Sequence, residues 1–362
     1  MNDMSVTMRR LERLRERMRQ RGLPAMFVTH PANRRYLTGF TGTSGFVLIT
    51  EQRAVLLTDF RYMTQAAEQA PGYEIVQHGQ KVTDSVRPIL EDGRIRSIGF
   101  EQDHVTYGTY ASYAKELAGM ELVPVEGLVE ELRMIKDETE LAIMREAARI
   151  ADEAFSHILT VTRPGVTERE LALELEMFMR RKGAASSSFD TIVASGERSA
   201  LPHGVASDKV IGAGELVTFD FGAYYRGYCS DLTRTVMVGK PADRHREIYD
   251  IVLEAQLNAL ERIRPGMTGS EADALTRDVI KRYGYSDYFG HGTGHGLGME
   301  IHEAPRLSLA SSTVLQPGMT VTVEPGIYLP GFGGVRIEDD VVITETGAER
   351  LTFSAKEFIV LD

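Results

Sequence analysis

Cysteine is almost absent from this sequence, since Cys229 is the only one among 362 residues. A single cysteine excludes a disulfide within the chain, and low cysteine usage is typical of a reducing compartment. No apolar run reaches the roughly 18 residues of a membrane-spanning helix, and no apolar N-terminal segment predicts a secretory signal. Positive charge is in deficit, because 41 basic and 52 acidic residues leave a net charge of −11. We therefore expect a cytoplasmic protein that binds neither membranes nor nucleic acids.

The chain is long enough for two hydrophobic cores. Its 362 residues exceed the roughly 250–300 residues at which a single core usually stops growing. In the first third, short apolar runs such as residues 25–28 and 54–57 alternate with helical patterns such as residues 83–90. This alternation predicts an α/β domain. We find no cluster of catalytic residue types in it.

The remainder of the chain combines capped helices with strands. Helices are predicted over residues 137–159 and 167–181, each beginning at a residue whose side chain can cap the first turn. A hairpin is predicted to turn at Arg226-Gly227, because this dipeptide separates two strand-like runs. The strands are predicted over residues 216–224, 228–238, 319–324 and 334–343.

Histidine and glycine are concentrated in one short stretch. Residues 291–302 read HGTGHGLGMEIH, so three of the nine histidines fall within twelve residues. Glycine contributes no side chain to a core, so the stretch predicts a loop in which backbone and imidazoles surround something small. Acids inside apolar, strand-like runs lie on both sides of it: Asp220, Asp231, Glu324 and Glu338. Together with the central His295 they form a ligand set for one or two divalent ions.

These acids are difficult to explain without a cation. The predicted turn brings Asp220 and Asp231 close together, and neighbouring carboxylates repel each other unless a cation separates them. For either acid alone, an exposed position on an edge strand remains the alternative. Arg336 lies two residues before Glu338 and so shares its face of a strand. We interpret Arg336 as a residue that orients a ligand, and an Arg–Glu pair that serves only the sheet is the alternative.

The acids and His295 lie in motifs that resemble those of a known family. DFG, SDLTRT, HGTGHGLG, VEPGIY and VRIEDDV carry them in the order found in the M24 "pita-bread" metallopeptidases, and more narrowly in the Xaa-Pro peptidases of M24B. The segment NRRYLTGFTGTSGF at residues 33–46 is similar to a creatinase-type N-terminal domain. The resemblance implies an α/β (α+β) chain, with a creatinase-type α/β domain at residues 1–128 and a pita-bread catalytic domain at residues 129–362.

The resemblance also implies a role for each residue of the site. Asp220 would bind one metal, His295 and Glu324 the other, and Asp231 and Glu338 would bridge the two ions. A hydroxide held between the metals would attack the scissile carbonyl. The expected cofactor is a pair of divalent ions, with Mn²⁺ preferred and Co²⁺ or Zn²⁺ as alternatives. The residues implied as catalytic are His203, His302 and Glu324, and those implied as substrate-binding are His291, Arg306, Tyr328 and Arg336.

Three functions remain open from the sequence. The leading hypothesis is an aminopeptidase P type enzyme, which hydrolyses the bond between an N-terminal residue and proline in peptides. The alternative is a prolidase, an Xaa-Pro dipeptidase restricted to dipeptides. Arg306 matches an arginine that prolidases use for the substrate carboxylate, but similar aminopeptidase P-like sequences carry one there too. A non-catalytic protein-binding module is the third reading, which the intact ligand set disfavours. Family members are commonly dimers, so a homodimer is expected.

Overall fold

The structure is a computed structural model that describes residues 3–362, with side chains described from residue 6 onward. Its chain divides into two compact units, Met1–Arg133 and Met134–Asp362. The boundary predicted from the sequence, after residue 128, lies a few residues before this division. None of the helices described is long and apolar enough to cross a membrane.

The N-terminal unit is built on a six-stranded mixed sheet with the order β4-β3-β2-β1-β5-β6. Its strands are β1 Ala25–Val28, β2 Phe46–Thr50, β3 Ala54–Thr58, β4 Glu74–Gln77, β5 Ser97–Glu101 and β6 Glu121–Val125. Its helices are α1 Asp3–Gln20, α2 Pro31–Thr38, α3 Met63–Gln69, α4 Thr83–Asp92, α5 Tyr107–Glu116 and α6 Glu130–Arg133.

The central strands of this unit read as continuous apolar runs because side chains pack on both faces of the sheet. All four residues of β1 are buried, and Phe27 packs in one cluster with Leu48, Val55 and Leu90. The predicted alternation of strands and helices is present. Helix α2 and strand β6 were not predicted, since neither shows the apolar periodicity of its type. Helix α2 is held by Pro at its first turn and by Gly39 in the left-handed region at its end.

The C-terminal unit begins with helices whose starts follow from their caps. The four helices are α7 Glu138–Ile158, α8 Glu168–Arg181, α9 Asp243–Arg262 and α10 Gly269–Arg282. Asp137 and Thr167 accept hydrogen bonds from the first turns of α7 and α8, and each forms a full capping box. Both predicted helices are therefore confirmed to within a residue. Their apolar faces pack against the strands through Phe155, Leu171 and Leu175.

Fourteen strands of this unit form four sheets. The strands are β7 Ser186–Ser187, β8 Ile192–Ser195, β9 Glu215–Phe221, β10 Ala223–Tyr225, β11 Tyr228–Cys229, β12 Leu232–Val238, β13 Gly294–Gly296, β14 Glu303–Leu307, β15 Thr320–Val323, β16 Gly326–Leu329, β17 Gly333–Arg336, β18 Asp339–Ile343, β19 Ala348–Arg350 and β20 Val360–Leu361. The two sheets that carry the acids have the orders β20-β12-β9-β8 and β14-β13-β15-β18-β19. Three 3₁₀ turns, Phe60–Tyr62, Gly196–Ala200 and Ser286–Tyr288, complete the described elements.

The predicted hairpin turn is confirmed. Tyr225 pairs with Tyr228, and the two residues between them, Arg226 and Gly227, have φ of 48° and 93°. Positive φ at both central residues is the requirement of a type I′ hairpin turn. The first arm of the hairpin is divided into β9 and β10 at Gly222. A Cβ atom at this position would lie 1.7 Å from the carbonyl oxygen of Ser230.

Two predictions of local structure were wrong. Residues 334–343 form two strands in different sheets, β17 and β18, with Ile337 and Glu338 at the crossing between them. Residues 291–302 are not only a loop, because β13 lies inside a sheet between β14 and β15. Its glycines permit this close packing, since a Cβ atom at Gly294 would lie 2.0 Å from the carbonyl oxygen of Thr322. Alternation in hydrophobicity alone shows neither the change of sheet nor a strand made of glycine.

Candidate metal centre

The acids and His295 are carried by the two sheets described above. Asp220 lies in β9, opposite Thr233 of β12, and Asp231 immediately precedes β12. His295 is the middle residue of β13, and Glu324 directly follows β15. Glu338 occupies the crossing between β17 and β18. Asp220 and Glu338 are 118 positions apart in the sequence. They lie in one site because the ends of their strands converge there.

Three of the five predicted ligands are close enough to share one ion. Ligand atoms of Asp231, His295 and Glu338 all lie within 4.8 Å of one another. The His295 Nε2 atom is 3.7 Å from Asp231 Oδ2 and 3.4 Å from Glu324 Oε1. Its Nδ1 atom faces the carbonyl oxygen of Gly296 at 3.0 Å, which leaves Nε2 directed at the acids. Burial lowers the pKa of His295 to about 4, so the ring is neutral near pH 7, as a metal-binding imidazole must be.

Two carboxylate oxygens at this centre have no hydrogen-bond partner. Asp231 Oδ1 and Glu338 Oε1 are both buried and unpaired among the residues that the structure describes. The other Glu338 oxygen accepts from Thr233 Oγ1 at 2.6 Å, and the Asp231 backbone N–H donates to Asp340 Oδ2 at 2.8 Å. A buried carboxylate without a partner is costly. Unpaired carboxylate oxygens on residues this close together fit a divalent cation, which takes oxygen ligands of this kind.

The electrostatics of the centre support the same fit. Burial, and then the neighbouring carboxylates, raise the pKa of Asp231 and of Glu338 well above the usual range. Burial also raises the pKa of Glu324 to about 7. Such shifts mean that the protein's own groups do not neutralise these acids, so the site favours either protons or an external cation.

Asp220 differs from the other acids because a cation of the chain compensates it. Arg336 donates from Nη2 to Asp220 Oδ2 at 2.5 Å, from Nε to Thr233 Oγ1 and from Nη1 to the hydroxyl of Tyr328. The alternative of an Arg–Glu pair that serves only the sheet is therefore wrong, since the ion pair joins Arg336 to Asp220. Arg336 is the last residue of β17, and Thr235 of β12 forms hydrogen bonds with both its backbone N–H and its carbonyl oxygen, which holds Arg336 beside β9 and β12.

Ten of the eleven predicted site residues line one cavity of about 600 Å³. The exception, Tyr328, lies behind the wall, where its hydroxyl contacts His291 Nε2 at 2.7 Å and Arg336 Nη1 at 2.9 Å. The cavity residues are Asp220, Asp231, His295, Glu324, Glu338, His203, His291, His302, Arg306 and Arg336.

The more exposed part of the cavity carries the remaining polar groups. The rings of His302 and His295 meet edge to face at 4.5 Å. Arg306 stands opposite His295 in the β13–β14 pair, and no ion pair occupies its guanidinium among the described residues. His203 is exposed at the rim. This arrangement can bind a small polar molecule between a cation-binding floor and a cationic side chain.

Several residues of the site were not predicted from the sequence. The cavity is also lined by Phe189, Asp190, Ile192, Pro202, Val205, Ile301 and Ser308. Thr322 Oγ1 donates to Glu324 Oε1 at 2.9 Å and accepts from the backbone of His295. One signal was available for Thr322 and Thr233, because each lies two residues from a predicted ligand and so shares its strand face. No comparable signal marks Phe189, Asp190, Ile192, Pro202 or Val205.

Comparison with known proteins agrees with this geometry. The model of metallopeptidase family M24 matches residues 142–345, and that of the Creatinase/Prolidase N-terminal domain matches residues 10–135. A solved structure described as an Xaa-Pro dipeptidase from Bacillus anthracis is 57% identical, with a TM-score of 0.96, and covers 98% of this chain and 100% of that one. The predicted fold class is confirmed by these matches.

Two further relatives carry different descriptions. The Xaa-Pro dipeptidase of Pyrococcus furiosus is 42% identical over 97% of this chain and 99% of its own. The structure of an X-Pro aminopeptidase from Thermotoga maritima is 39% identical with a TM-score of 0.90, and the match covers 96% of this chain and 100% of that one. Relatives with both descriptions therefore match at least 96% of the chain.

Proposed function

The chain belongs to metallopeptidase family M24, and from that premise we propose that it is a metal-dependent Xaa-Pro dipeptidase, a prolidase. This reverses the order of the two peptidase hypotheses drawn from the sequence, in which the aminopeptidase P type led. The relatives from Bacillus anthracis and Pyrococcus furiosus, both described as Xaa-Pro dipeptidases, support the change. The non-catalytic module is set aside, because the chain is a peptidase by family and retains all five ligand residues.

The relatives described as Xaa-Pro dipeptidases carry the choice of a dipeptidase, and Arg306 is the feature of the structure that fits a dipeptide substrate. Its guanidinium lines the cavity beside the acids, is exposed, and has no ion-pair partner among the described residues. A free guanidinium prefers a carboxylate, which it can bind through two parallel hydrogen bonds. In an Xaa-Pro dipeptide that carboxylate is attached to the proline, one residue beyond the scissile bond. In a longer peptide the same position holds a neutral amide.

The residues of the centre have separate tasks in the proposed reaction. Asp220, Asp231, His295, Glu324 and Glu338 would hold two divalent ions, which supply a water of lowered pKa and polarise the scissile carbonyl. Glu324 accepts a proton from the attacking water at its carboxylate and passes it to the proline nitrogen. Arg336 keeps Asp220 oriented through the 2.5 Å ion pair.

The histidines of the cavity bind the substrate in this proposal. His203 and His302 lie in the exposed part of the cavity, where they would donate hydrogen bonds to the oxygen that develops negative charge. His291 is tied to Tyr328 and forms a rigid wall beside the proline ring. His302→Ala should therefore lower kcat by about 100-fold, the lower end of the loss for an oxyanion donor, while the metal content stays unchanged. Loss of the metal in this variant would contradict the assigned role.

Hydrolysis of Ala-Pro beside Ala-Pro-Ala tests the proposal. We expect metal-dependent cleavage of the dipeptide and no cleavage of the tripeptide, and loss of activity after chelation. Cleavage of the tripeptide at a comparable rate would overturn the dipeptidase proposal in favour of the aminopeptidase P type, the description carried by the Thermotoga maritima structure. Arg306→Met is the informative variant, because it should weaken Ala-Pro binding more than Ala-Pro-Ala binding.

Four further properties are part of the proposal. The oxygen-rich ligand set supports Mn²⁺ as the metal, which metal analysis of the purified protein would test. A homodimer, as is common in the resembled family, would be tested by sedimentation. A cytoplasmic location is supported by the single cysteine. The proposed partner is a proline-containing peptide, with neither nucleic acid nor membrane as a ligand.

A further inference from the structure

The cavity has one acidic side chain that the proposed reaction does not use. Asp190 lines the cavity but is exposed, whereas Asp231 and Glu338 are buried at its floor. No hydrogen bond or ion pair engages the Asp190 carboxylate within residues 3–362. Among the exposed, permanently charged side chains of the cavity, Arg306 is the other one without a partner in the described residues. The exposed part of the cavity thus offers one free negative and one free positive charge.

An irregularity between the strands sets Asp190 apart from the regular sheet. Ser187 pairs with Ala223, and Ile192 pairs with Asp220, so four residues, 188–191, stand opposite two, 221 and 222. Ser188 anchors the start of this segment through Oγ, which donates to the Ser230 carbonyl at 2.9 Å. Strands β7 and β8 belong to different sheets, so this segment crosses between them and its side chains do not follow the alternation of a single strand. Both Phe189 and Asp190 line the cavity.

The surroundings of Asp190 suit the stem of a long side chain. Phe189, Ile192, Pro202 and Val205 line the same cavity, and a bridge between Ile192 and Val205 joins the two segments. We define these four residues with Asp190 as the Asp190 wall. A lysine or arginine side chain has an apolar stem and a charged end. The Asp190 wall offers an apolar surface for the stem and a carboxylate for the end.

The exposure of Asp190 points to the substrate side chain, and its sequence distance from the metal centre shows that the first substrate residue is within reach. Ile192 stands opposite Asp220 at the metal centre, and two residues of chain span at most about 7 Å. In the proposed complex the α-ammonium would stay near the metal ligands, because it is attached next to the carbonyl that is cleaved, and any effect of Asp190 on it would be equal for substrates with different first side chains. A long side chain extends away from the floor, towards the exposed part of the cavity, where Asp190 lies.

We propose that Asp190 is a specificity-determining residue that favours Xaa-Pro substrates with lysine or arginine as the first residue. The inference rests on the proposed function and deepens it, because it names a substrate class for the same site. Because the carboxylate is exposed, the expected effect is that of a surface ion pair, about two- to fivefold in kcat/KM. Salt should reduce this effect, since the Debye length shortens to about 3 Å at 1 M.

The experiment compares kcat/KM for Lys-Pro and Met-Pro in each variant at low salt. The Lys-Pro to Met-Pro ratio should fall about two- to fivefold in Asp190→Asn, and the fall should shrink at 1 M salt. Asp278→Asn is the matched control, because Asp278 is an exposed acid of α10 outside the cavity and its substitution removes the same charge. Its ratio should equal that of the unmodified protein. Asp190→Lys should in turn raise the ratio of Glu-Pro to Lys-Pro.

The outcomes separate the inference from the proposed function. Cleavage of Met-Pro with an unchanged ratio in Asp190→Asn and in Asp190→Lys would overturn the role of Asp190 and leave the peptidase intact. If only tripeptides are cleaved, the same ratio is measured with Lys-Pro-Ala and Met-Pro-Ala. A fall in Asp190→Asn then supports the role of Asp190, and an unchanged ratio overturns it. Failure of the unmodified, metal-loaded protein to cleave any of these peptides would overturn the proposed function and the inference with it.

Discussion

Two adjacent acids, Glu338 and Asp339, are equally buried but are treated in opposite ways by the fold. Asp339 is enclosed by groups of the chain: Arg234 and Thr352 donate to Oδ1 at 2.8 and 3.0 Å, and Gln256 and Lys356 donate to Oδ2. Burial alone would raise the pKa of Asp339, but Arg234 and Lys356 outweigh burial and lower it. Glu338 has a single donor, Thr233, and its other oxygen has none among the described residues.

The comparison shows that the chain supplies cationic partners for Asp339 and, in the part of it that the structure describes, supplies none for Glu338. The Asp339 cluster is complete, so it serves the structure by joining β12 and α9 to β18. The pair of Glu338 and Asp231 is incomplete, and its pKa values are raised well above the usual range. Since buried acids are tolerated only when paired, protonated or metal-bound, the incomplete pair fits the proposed metal site, whereas the Asp339 cluster is already paired within the chain.

The largest effect is expected for Glu338→Gln. The amide keeps the shape of the side chain but cannot act as an anionic bridge between two ions. We expect hydrolysis of Ala-Pro to fall by more than about 100-fold, because partners outside the ligand set alone cost about 10- to 100-fold. The measurement is kcat/KM at saturating metal. Activity near that of the unmodified protein would contradict the bridging role.

Asp339→Asn should act on stability instead. The substitution leaves Arg234 and Lys356 partly unpaired in a buried position, which costs about 3–5 kcal/mol when a buried pair is broken. Denaturant unfolding of the metal-free protein measures the loss. Glu338→Gln is the matched comparison, and it should leave the metal-free protein at least as stable, because it removes an uncompensated acid. An equal loss of unfolding free energy in both variants would contradict the claim that only Asp339 is compensated by groups of the chain.

The metal-free protein should lose stability as the pH rises. The folded-state pKa of Glu324 is raised from 4.5 to about 7, so the folded state binds more protons than the unfolded state between these values. Stability therefore falls between pH 4.5 and about 7, by at most about 3 kcal/mol for this group at 1.4 kcal/mol per pKa unit. Thermal unfolding at several pH values, with chelator and with Mn²⁺, tests this. A metal-free protein that gains stability over this range would contradict the raised pKa.

The smallest effect is expected for Thr233→Val. Thr233 donates to Glu338 at 2.6 Å and accepts from Arg336 at 3.1 Å, so it orients a ligand without binding metal. We expect metal affinity to fall by about tenfold, the lower end of the range for such partners. Thr235→Val is a control on the same strand, since within the described residues the Thr235 hydroxyl forms hydrogen bonds to the backbone of Arg336 and to the hydroxyl of Thr218, and to none of the predicted metal ligands. Equal losses of affinity would argue against a specific role of Thr233.

The sequence predicted which residues form the site better than it predicted the strand pairings that bring them together. Residue order and motif were sufficient to select Asp220, Asp231, His295, Glu324 and Glu338, which all line the same cavity. Capping residues and the Arg226-Gly227 turn are local signals, so the elements that depend on them were predicted correctly.

The parts that were missed depend on contacts between distant residues. The change of sheet at residues 337 and 338 is made by pairing with strands elsewhere in the chain. The compensation of Asp339 joins Arg234, more than one hundred positions earlier, to a neighbour of a predicted ligand. The extra residues at 188–191 are visible only once the pairing with β9 and β10 is known. Periodicity in the sequence contains none of this information.

Titration of the metal-free protein with Mn²⁺ by calorimetry, in two buffers of different ionisation enthalpy, tests the central claim most directly. The incomplete pair predicts two ions per chain, as in a two-metal hydrolytic site, with release of the protons that the raised pKa values hold. Glu338→Gln should lose at least one of the two ions, and Asp339→Asn, at a temperature where it is folded, should keep both. Absence of stoichiometric binding, or the same titration in Glu338→Gln, would contradict the claim that this pair of acids holds the metal.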